Sequence, residues 1–201
     1  MFALVAFFLL GIERIVYGYI FHFTESFKKL CDGPLKAVLD HDEGLYWMVA
    51  KHIGVVIKVF QFGVIGYDLL ISRSFGLAPA YLLLPGLGLI GAGQVLNAAT
   101  FNALGAIGVY YGYQLGYKVP MVSCFPYNMG IGDPQYWGVV LCVWGMYLGL
   151  CGAGAEGQVL RHFVVPVLET FWYVMSMKVL EHEKNGAAAL KAIGIKSRYA
   201  D

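Results

Sequence analysis

Long apolar segments constrain this chain more than any other feature of its sequence. The first runs from residue 1 to residue 23 and contains one adjacent pair of charged residues. At about 1.5 Å per residue, a helix of this length crosses a hydrocarbon core of about 30 Å. Because hydrocarbon offers the backbone no hydrogen-bond partner, such a run spans it as a helix. Similar runs recur along the chain, so the sequence predicts a helical membrane protein.

The composition excludes a soluble globular protein. Hydrophobic residues make up 59% of the 201 residues and charged residues 13%, and the mean hydropathy is +0.64. A soluble core of this size cannot cover so much apolar surface. The formal net charge of +1 argues against a nucleic-acid partner, which requires a clustered basic surface. The length suits a single domain, residues 1–201.

We predict an all-α, polytopic membrane helix bundle with about five transmembrane helices. The predicted spans cover residues 1–23, 46–71, 77–104, 136–154 and 159–180. A tail at residues 184–201 follows the last span. It is predicted to form a short amphipathic helix on the membrane surface.

Basic residues are distributed unevenly between the two faces of such a bundle. With five spans, one face carries Lys28, Lys29, Lys36, Lys118, Lys184, Lys191, Lys196 and Arg198. The other face carries Arg73 and Arg161. The positive-inside rule then places residues 105–135 and the C-terminus in the cytoplasm. A four-span bundle, in which one apolar run is re-entrant, would put these two segments on opposite faces.

Two charged residues, Glu13 and Arg14, fall in the middle of the first span. An ionised group there is costly unless it faces protein or water. Adjacent helical residues point about 100° apart, so we expect each side chain to need its own partner on a neighbouring helix. A structural role in the bundle is favoured over a catalytic one.

Two short motifs carry weak signals. The acidic cluster at residues 40–43 has no second cluster spaced with it, so a solvated loop is favoured and no metal site is predicted. Gly86, Gly88 and Gly91 match the GxGxxG dinucleotide fingerprint. Their flanks are membrane-like, and no acidic residue stands about twenty positions later. The sequence therefore argues against a Rossmann domain.

The stretch from residue 91 to residue 138 combines small and aromatic residues. Four glycines within residues 105–116 leave a strip of backbone without side chains, against which a ligand or a helix can lie. Tyrosines stand between them, and aromatic faces attract desolvated cations such as a sulfonium. Glu181 and Glu183 follow the last span, where a carboxylate can hold a cofactor amine or ribose hydroxyls. Helix packing, an interfacial aromatic belt and a solvated helix end explain the same features.

Several motifs follow one another in this part of the chain. They are GQVLN at residues 93–97, LGAIGVYYGYQLG at 104–116, FPYN at 125–128, DPQYWG at 133–138 and LEHEK at 180–184. In these motifs the chain resembles the membrane phospholipid N-methyltransferases, and their plant-type members most. The resemblance covers roughly half of the chain and hardly extends to the first 45 residues.

The resemblance implies S-adenosyl-L-methionine as the cofactor, bound by the GxG pair Gly91 and Gly93 and by an acidic pair after the last span. With the aromatic residues of the central stretch, the expected cofactor-binding residues are Gly91, Gly93, Gly105, Tyr111, Phe125, Pro126, Tyr136, Glu181 and Glu183. Animal and fungal members have two adjacent glutamates followed by Pro-Phe. Here His182 separates the two acids and no proline follows.

The implied reaction methylates the headgroup amine of phosphatidyl-N-methylethanolamine and phosphatidyl-N,N-dimethylethanolamine to give phosphatidylcholine. The acceptor amine is mostly protonated at neutral pH, so a base must take its proton. No motif identifies this base, and the candidate catalytic residues are Glu181, Glu183, Asp133 and Tyr136. A membrane lipid is the expected partner. The expected location is the endoplasmic reticulum membrane, with the active site facing the cytoplasm.

Two alternatives stay open at this point. Isoprenylcysteine carboxyl methyltransferases and sterol reductases have an Arg-His-Pro turn where this chain has Gly132, Asp133 and Pro134, which weakens both of those assignments. A non-enzymatic membrane scaffold is the other alternative. It predicts no acidic pair facing the glycine strip.

Overall fold

The fold is described from a computed structural model for residues 2–36, 45–71, 76–150 and 163–199. The helices are α1 (Phe2–His22), α2 (Thr24–Leu30), α3 (Tyr46–Gly66), α4 (Ala80–Val109), α5 (Pro134–Gly149), α6 (Val164–Met175) and α7 (Glu183–Ala192). Wider π-type turns extend α2, α3 and α6 as Cys31–Leu35, Tyr67–Ile71 and Ser176–Leu180, and a 3-10 turn covers Tyr127–Met129. The acidic cluster at 40–43, Arg73 and Arg161 lie outside the described residues.

The predicted all-α class is confirmed, because the described residues contain helices and turns and no strand. Three helical stretches, Phe2–His22, Tyr46–Leu70 and Ala80–Val109, are long and apolar enough to cross a membrane. α5 and α6 lie where the fourth and fifth spans are predicted. The total of five spans stays a prediction.

α4 and α5 form the most extensively packed helix pair, and glycines let their backbones approach. A Cβ added at Gly93 would collide with the carbonyl oxygen of Gly138 and with Cys142, and one added at Gly138 would collide with Gly93. Further along the pair, Gly86 and Gly145 meet in the same way. Small residues at such crossings allow membrane helices to pack backbone against backbone.

α4 changes direction at Gly105. Its backbone there has φ 66° and ψ 173°, a conformation that glycine adopts without steric cost. Tyr111 (φ 60°) and Gly116 (φ 95°) also have positive φ angles, and the chain turns between them. Gly105 and Gly116 therefore turn the chain, so the four glycines of residues 105–116 do not form the continuous strip expected from their spacing. The turn returns Tyr111 to the bundle, where its side chain is buried.

Several loops and helix ends meet at the end of the bundle where α4 stops. The start of α3 contacts the turn after α4, because the Tyr46 N–H donates to the Tyr117 hydroxyl (3.0 Å). The segment after α7 reaches the same turn, where Arg198 Nη1 donates to the Gln114 carbonyl oxygen (3.1 Å). α7 forms within the tail that is predicted to be helical, and its place on a membrane surface stays a prediction.

We predict that Gly93→Ala destabilises the protein and that Gly91→Ala does not. A methyl group at residue 93 would force α4 and α5 apart, at a cost of about 1 to 3 kcal/mol. Residue 91 faces open space, and alanine there has the higher helix propensity. Thermal unfolding in detergent, followed by circular dichroism, measures both effects. Equal melting temperatures for the two variants would contradict the close packing.

Candidate functional site

A cavity of about 230 Å³ lies at the end of the bundle where α4 ends and α5 begins. Residues of α1, α3 and α6 complete its wall. Its polar lining residues are Glu13, Arg14, Tyr17, Lys58, Thr100, Tyr110, Tyr111, Gln114, Tyr127, Asp133, Gln135, Tyr136, Tyr173 and Glu181. Carboxylates, cations and phenols therefore share one small space.

Hydroxyl groups from three residues hold the Glu181 carboxylate. Tyr136 Oη lies 2.8 and 2.7 Å from its two oxygens, and the hydroxyls of Tyr111 and Ser176 also donate to it. The two tyrosine hydroxyl oxygens are 3.1 Å apart. Hydrogen bonds to an ionised carboxylate are stronger than those between neutral groups. Together these donors hold Glu181 in one orientation at the cavity wall.

The end of α6 directs Glu181 toward these donors. α6 continues as the π-type turn Ser176–Leu180, and the Glu181 N–H donates to the Ser176 carbonyl oxygen (2.8 Å). Such a five-residue bond widens the helix. The chain leaves the helical path at Glu181, with φ −113° and ψ 21°. Glu181 therefore stands between the last turn of α6 and the start of α7 at Glu183.

Tyr111 acts as a hydrogen-bond donor in this group. Its side chain is buried, and it lies after the end of α4. Burial, and secondly the Glu181 carboxylate, raise the pKa of Tyr111 well above its ordinary value. Tyr111 therefore keeps its proton at neutral pH and supplies it to the bond with Glu181.

Asp133 stands at the rim of the cavity, directly before α5. It occupies the N-cap position with φ 50°, and its side chain does not cap the helix, although aspartate often does so. Although the Asp133 residue is exposed at the rim, the protein groups around its carboxyl displace water from it, and this, with the Glu181 carboxylate second, raises the pKa of Asp133 above its usual value. Asp133 therefore takes up a proton at a higher pH than an ordinary aspartate does.

The charged residues of α1 have the expected partners on neighbouring helices, and they also pair with each other, which their separation around the helix does not predict. Arg14 Nη2 lies 2.6 Å from Glu13 Oε2, and Lys58 Nζ of α3 lies 2.7 Å from the same oxygen. Glu13 and Arg14 are almost fully buried. Their side chains are long enough to bend together, and leaving either charge unpaired in the bundle would cost several kcal/mol, roughly 3 to 5.

The Arg14 guanidinium lies among tyrosine rings. Its central carbon is 4.9, 4.5 and 4.4 Å from the ring centroids of Tyr17, Tyr136 and Tyr173, which is within the range of cation–π attraction. Lys58 Nζ donates to the Tyr173 hydroxyl at 2.8 Å. Part of the aromatic surface that the sequence predicts for a ligand cation therefore contacts a cation of the protein itself.

Four of the predicted site residues meet at the cavity, namely Tyr111, Asp133, Tyr136 and Glu181. They come from the turn after α4, the start of α5 and the end of α6. Tyr127 of the FPYN motif also lines the cavity. The assignment of these residues to cofactor binding or catalysis stays a prediction.

The other predicted site residues lie outside the cavity lining. They are Gly91, Gly93, Gly105, Phe125, Pro126 and Glu183. Thr100 is the first residue of α4 at the cavity, and Gly93 precedes it by about 10 Å of helix. Phe125 and Glu183 are exposed, and Pro126 is buried. Gly93 therefore packs against α5, Gly91 faces open space, and neither lines the cavity.

Sequence reasoning missed Arg14, Lys58, Tyr17, Thr100 and Tyr173 as cavity residues. A signal for the first two was available, since charges within apolar spans must face protein or water. The tyrosines and the threonine carry no such signal on their own helices. Their common position follows from helix packing, which the spacing of residues along one helix does not specify.

Comparison with known families identifies the family of the chain. Residues 81–184 match the family described as phospholipid methyltransferase, which is a little over half of the 201 residues. The chain belongs to the phospholipid methyltransferase family. The resemblance seen in the sequence motifs is thereby confirmed. Tyr111, Asp133, Tyr136 and Glu181 all lie within the matched residues.

One relative of this family member is the phosphatidyl-N-methylethanolamine N-methyltransferase of Arabidopsis thaliana, which is 42% identical over 53 residues. The aligned residues are 26% of this chain and 32% of that protein. The comparison therefore spans about a third of the relative's length. No solved structure matches the chain. α1 and α3, which supply Arg14 and Lys58 to the cavity, lie before the family-matched residues.

We predict that Tyr111→Phe lowers the free energy of unfolding by about 1.5 kcal/mol, because the Glu181 carboxylate loses a donor. Tyr113→Phe removes the same hydroxyl two residues later, from a side chain that is 68% exposed, and should leave stability unchanged. Unfolding of both variants in detergent measures the difference. Equal stability of the two variants would show that the bond from Tyr111 to Glu181 does not stabilise this end of the bundle.

Proposed function

We propose that this protein methylates the headgroup amine of phosphatidyl-N-methylethanolamine and phosphatidyl-N,N-dimethylethanolamine to give phosphatidylcholine. The family match supports phospholipid methylation. One structural observation carries the proposal, namely that Tyr111 and Tyr136 hold the Glu181 carboxylate at a cavity. A fixed anion among aromatic rings suits a positively charged ligand, and the methylated headgroups carry such a charge.

The proposed donor is S-adenosyl-L-methionine, which supplies a methyl group from a positively charged sulfonium centre. The chemistry of the cavity residues fits such a molecule. Glu181 offers a fixed carboxylate for an amine or for ribose hydroxyls, and Tyr110 and Tyr127 add aromatic rings to the wall. Glu181, Tyr110 and Tyr127 are therefore the residues proposed to hold it.

Glu181 is suited to binding a cation and poorly placed to take a proton. Three hydroxyls, those of Tyr111, Tyr136 and Ser176, already donate to its oxygens. An incoming proton would have to displace one of these donors. A cation, in contrast, is attracted by the carboxylate while the donors stay in place.

Asp133 is the residue proposed to take the proton from the headgroup ammonium. Of the other candidates, Glu183 lies outside the cavity, and Tyr136 donates its own proton to Glu181. Asp133 is therefore the candidate that remains. The N–H bond of the headgroup breaks, and the proton moves to an oxygen of the Asp133 carboxylate. The nitrogen keeps the electron pair and could then accept the methyl group that S-adenosyl-L-methionine would supply, with the carbon–sulfur bond broken and a neutral thioether left behind. The raised pKa of Asp133 makes it a stronger base for this transfer.

The position of the cavity suits a lipid acceptor. It lies where α4 ends and α5 begins, so a headgroup can approach from the bilayer surface and a water-soluble donor from solvent. We place this end of the bundle in the cytoplasm by the positive-inside rule. We place the protein in the endoplasmic reticulum membrane, as the family resemblance implies.

Membranes that contain the chain should label phosphatidylcholine when given the methylated lipids and S-adenosylmethionine with a radioactive methyl group. Phosphatidylethanolamine in a separate reaction tests the first methylation step, and farnesyl-cysteine tests the carboxyl methyltransferase alternative. Label in farnesyl-cysteine alone would overturn the proposal. The absence of label from every acceptor, after insertion of the protein is confirmed, would also overturn it.

Glu181→Gln should lower kcat/KM by about tenfold or more, because bonds to a charged group contribute about 1.5 to 3 kcal/mol. Glu183→Gln removes the same charge two residues later and outside the cavity, and should retain most of the activity. Kinetics of the two variants with the dimethylated lipid measure the contrast. Equal losses would favour the acidic pair expected from the resemblance over Glu181 alone.

Asp133→Asn should lower kcat by about 100-fold, the lower range for the loss of a general base. In the wild type, kcat should fall as the pH decreases through the raised pKa of Asp133, above the ordinary aspartate value of about 3.9, because a protonated carboxyl cannot accept a proton. The variant should lack this acidic limb. Asp32→Asn changes an exposed aspartate that bonds Tyr46 and should keep the wild-type profile. An unchanged profile in Asp133→Asn would assign the proton to another acceptor.

A further inference from the structure

We infer that Arg14 is a positioning residue of the proposed methyl-transfer site. Its buried guanidinium fixes the two tyrosines that hold Glu181, although α1 lies outside the family-matched residues. The inference rests on the proposed function, since it concerns the same cavity. Arg14 acts on the ligand through Tyr136 and Tyr111 and does not act as a catalytic residue.

The first connection from Arg14 to Glu181 runs through Tyr136. The guanidinium carbon lies 4.5 Å from the Tyr136 ring centroid, and the hydroxyl of that ring lies 2.8 and 2.7 Å from the Glu181 oxygens. A cation against the face of a ring attracts it and restricts its movement. Arg14 therefore determines where the Tyr136 hydroxyl meets the carboxylate.

The second connection runs through Tyr17 and Tyr111. The Arg14 guanidinium carbon is 4.9 Å from the Tyr17 ring centroid. The Tyr17 and Tyr111 rings are 5.0 Å apart and tilted by 57°, a favourable arrangement for aromatic pairs. The Tyr111 hydroxyl donates to Glu181. One cation thus supports both tyrosines that bond the carboxylate.

Arg14 is itself held in place by ionic and polar contacts. Glu13 Oε2 pairs with Arg14 at 2.6 Å and with Lys58 at 2.7 Å. Lys58 also donates to the Tyr173 hydroxyl at 2.8 Å and to Gln61 at 3.1 Å. These contacts join α1, α3 and α6 behind the guanidinium. Because residues of several helices fix the Arg14 guanidinium, it can fix the tyrosine rings that it contacts.

Arg14 lines the cavity wall, and the contacts of its guanidinium are with the protein itself. Arg14 is 2% exposed. Its Nε and Nη1 are buried without a hydrogen-bond partner among the described residues, and tyrosine rings lie against the group. Arg14 therefore contributes to the site through the rings that it contacts.

Arg14→Met keeps most of the length of the side chain and removes the cation, whereas Arg14→Lys keeps the cation. In Arg14→Met, Glu13 still pairs with Lys58, so no carboxylate is left unpaired in the bundle. We expect the Kd for S-adenosylhomocysteine to rise about tenfold in Arg14→Met and less in Arg14→Lys. Isothermal titration calorimetry on the protein in nanodiscs measures this without catalysis.

A double-mutant cycle tests whether Arg14 acts through Tyr136. Tyr136→Phe removes the hydroxyl that bonds Glu181 and keeps the ring against Arg14. If the effect passes through that hydroxyl, Arg14→Met raises the Kd less in the Tyr136→Phe background than in the wild type. Independent effects would multiply.

Asp68→Asn is the matched control for a loss of stability alone. Asp68 is also 2% exposed and accepts from the Tyr147 hydroxyl at 2.8 Å, outside the cavity lining. The Asp68→Asn variant should have a lower melting temperature and an unchanged Kd for S-adenosylhomocysteine. If Arg14→Met does not fold, Tyr17→Leu removes the ring between Arg14 and Tyr111 without changing any charge, and should raise the Kd severalfold.

The outcomes separate the inference from the proposed function. Wild-type protein that binds no S-adenosylhomocysteine and methylates no lipid overturns the proposed function. A wild type that binds, together with an unchanged Kd in folded Arg14→Met or in Tyr17→Leu, overturns the inference alone. An equal rise in Kd for Asp68→Asn also overturns it, because the effect would then follow from stability. If the Kd increases of Arg14→Met and Tyr136→Phe simply multiply in the double variant, the connection through Tyr136 is overturned.

Discussion

The cost of placing charge inside a membrane determines how this site is built. Glu13, Arg14 and Lys58 lie on helices that are otherwise largely apolar, so each needs partners within the protein. One carboxylate oxygen serves both cations, and tyrosine rings lie against the guanidinium. Because those rings also line the cavity, the packing that satisfies the buried charges also shapes the space available to a ligand.

Tyr136 connects α1 with the segment that follows α6. Its ring contacts Arg14 of α1, and its hydroxyl contacts Glu181 after α6. The close packing of α4 against α5 at Gly93 and Gly138 places the start of α5, and with it Tyr136, beside the middle of α4. The family-matched residues thus supply the wall that carries Glu181, and α1 supplies the support behind it. The position of Glu181 therefore depends both on the family-matched helices and on α1.

Much of the fold could be predicted because the length of an apolar run is a local property of the chain. The positive φ angle of Gly105 lies one residue after the predicted end of the third span. Tyr111, Asp133, Tyr136 and Glu181 could be singled out because their motifs place aromatic and acidic residues beside small ones. Gly91 and Gly93 lie outside the cavity lining, and their part in cofactor binding stays a prediction, since a glycine in a membrane helix serves close packing as readily as ligand contact.

The sequence by itself determined the membrane class, the helical architecture, the family and the types of side chain that the proposed cation site requires. These follow from composition and from motifs that occupy short stretches of chain. Only the tertiary structure decided that Tyr111 meets Glu181, 70 positions later, and that Arg14 supports both tyrosines from α1. Contacts of this kind depend on which helices adjoin and how they cross, and packing between distant segments sets both.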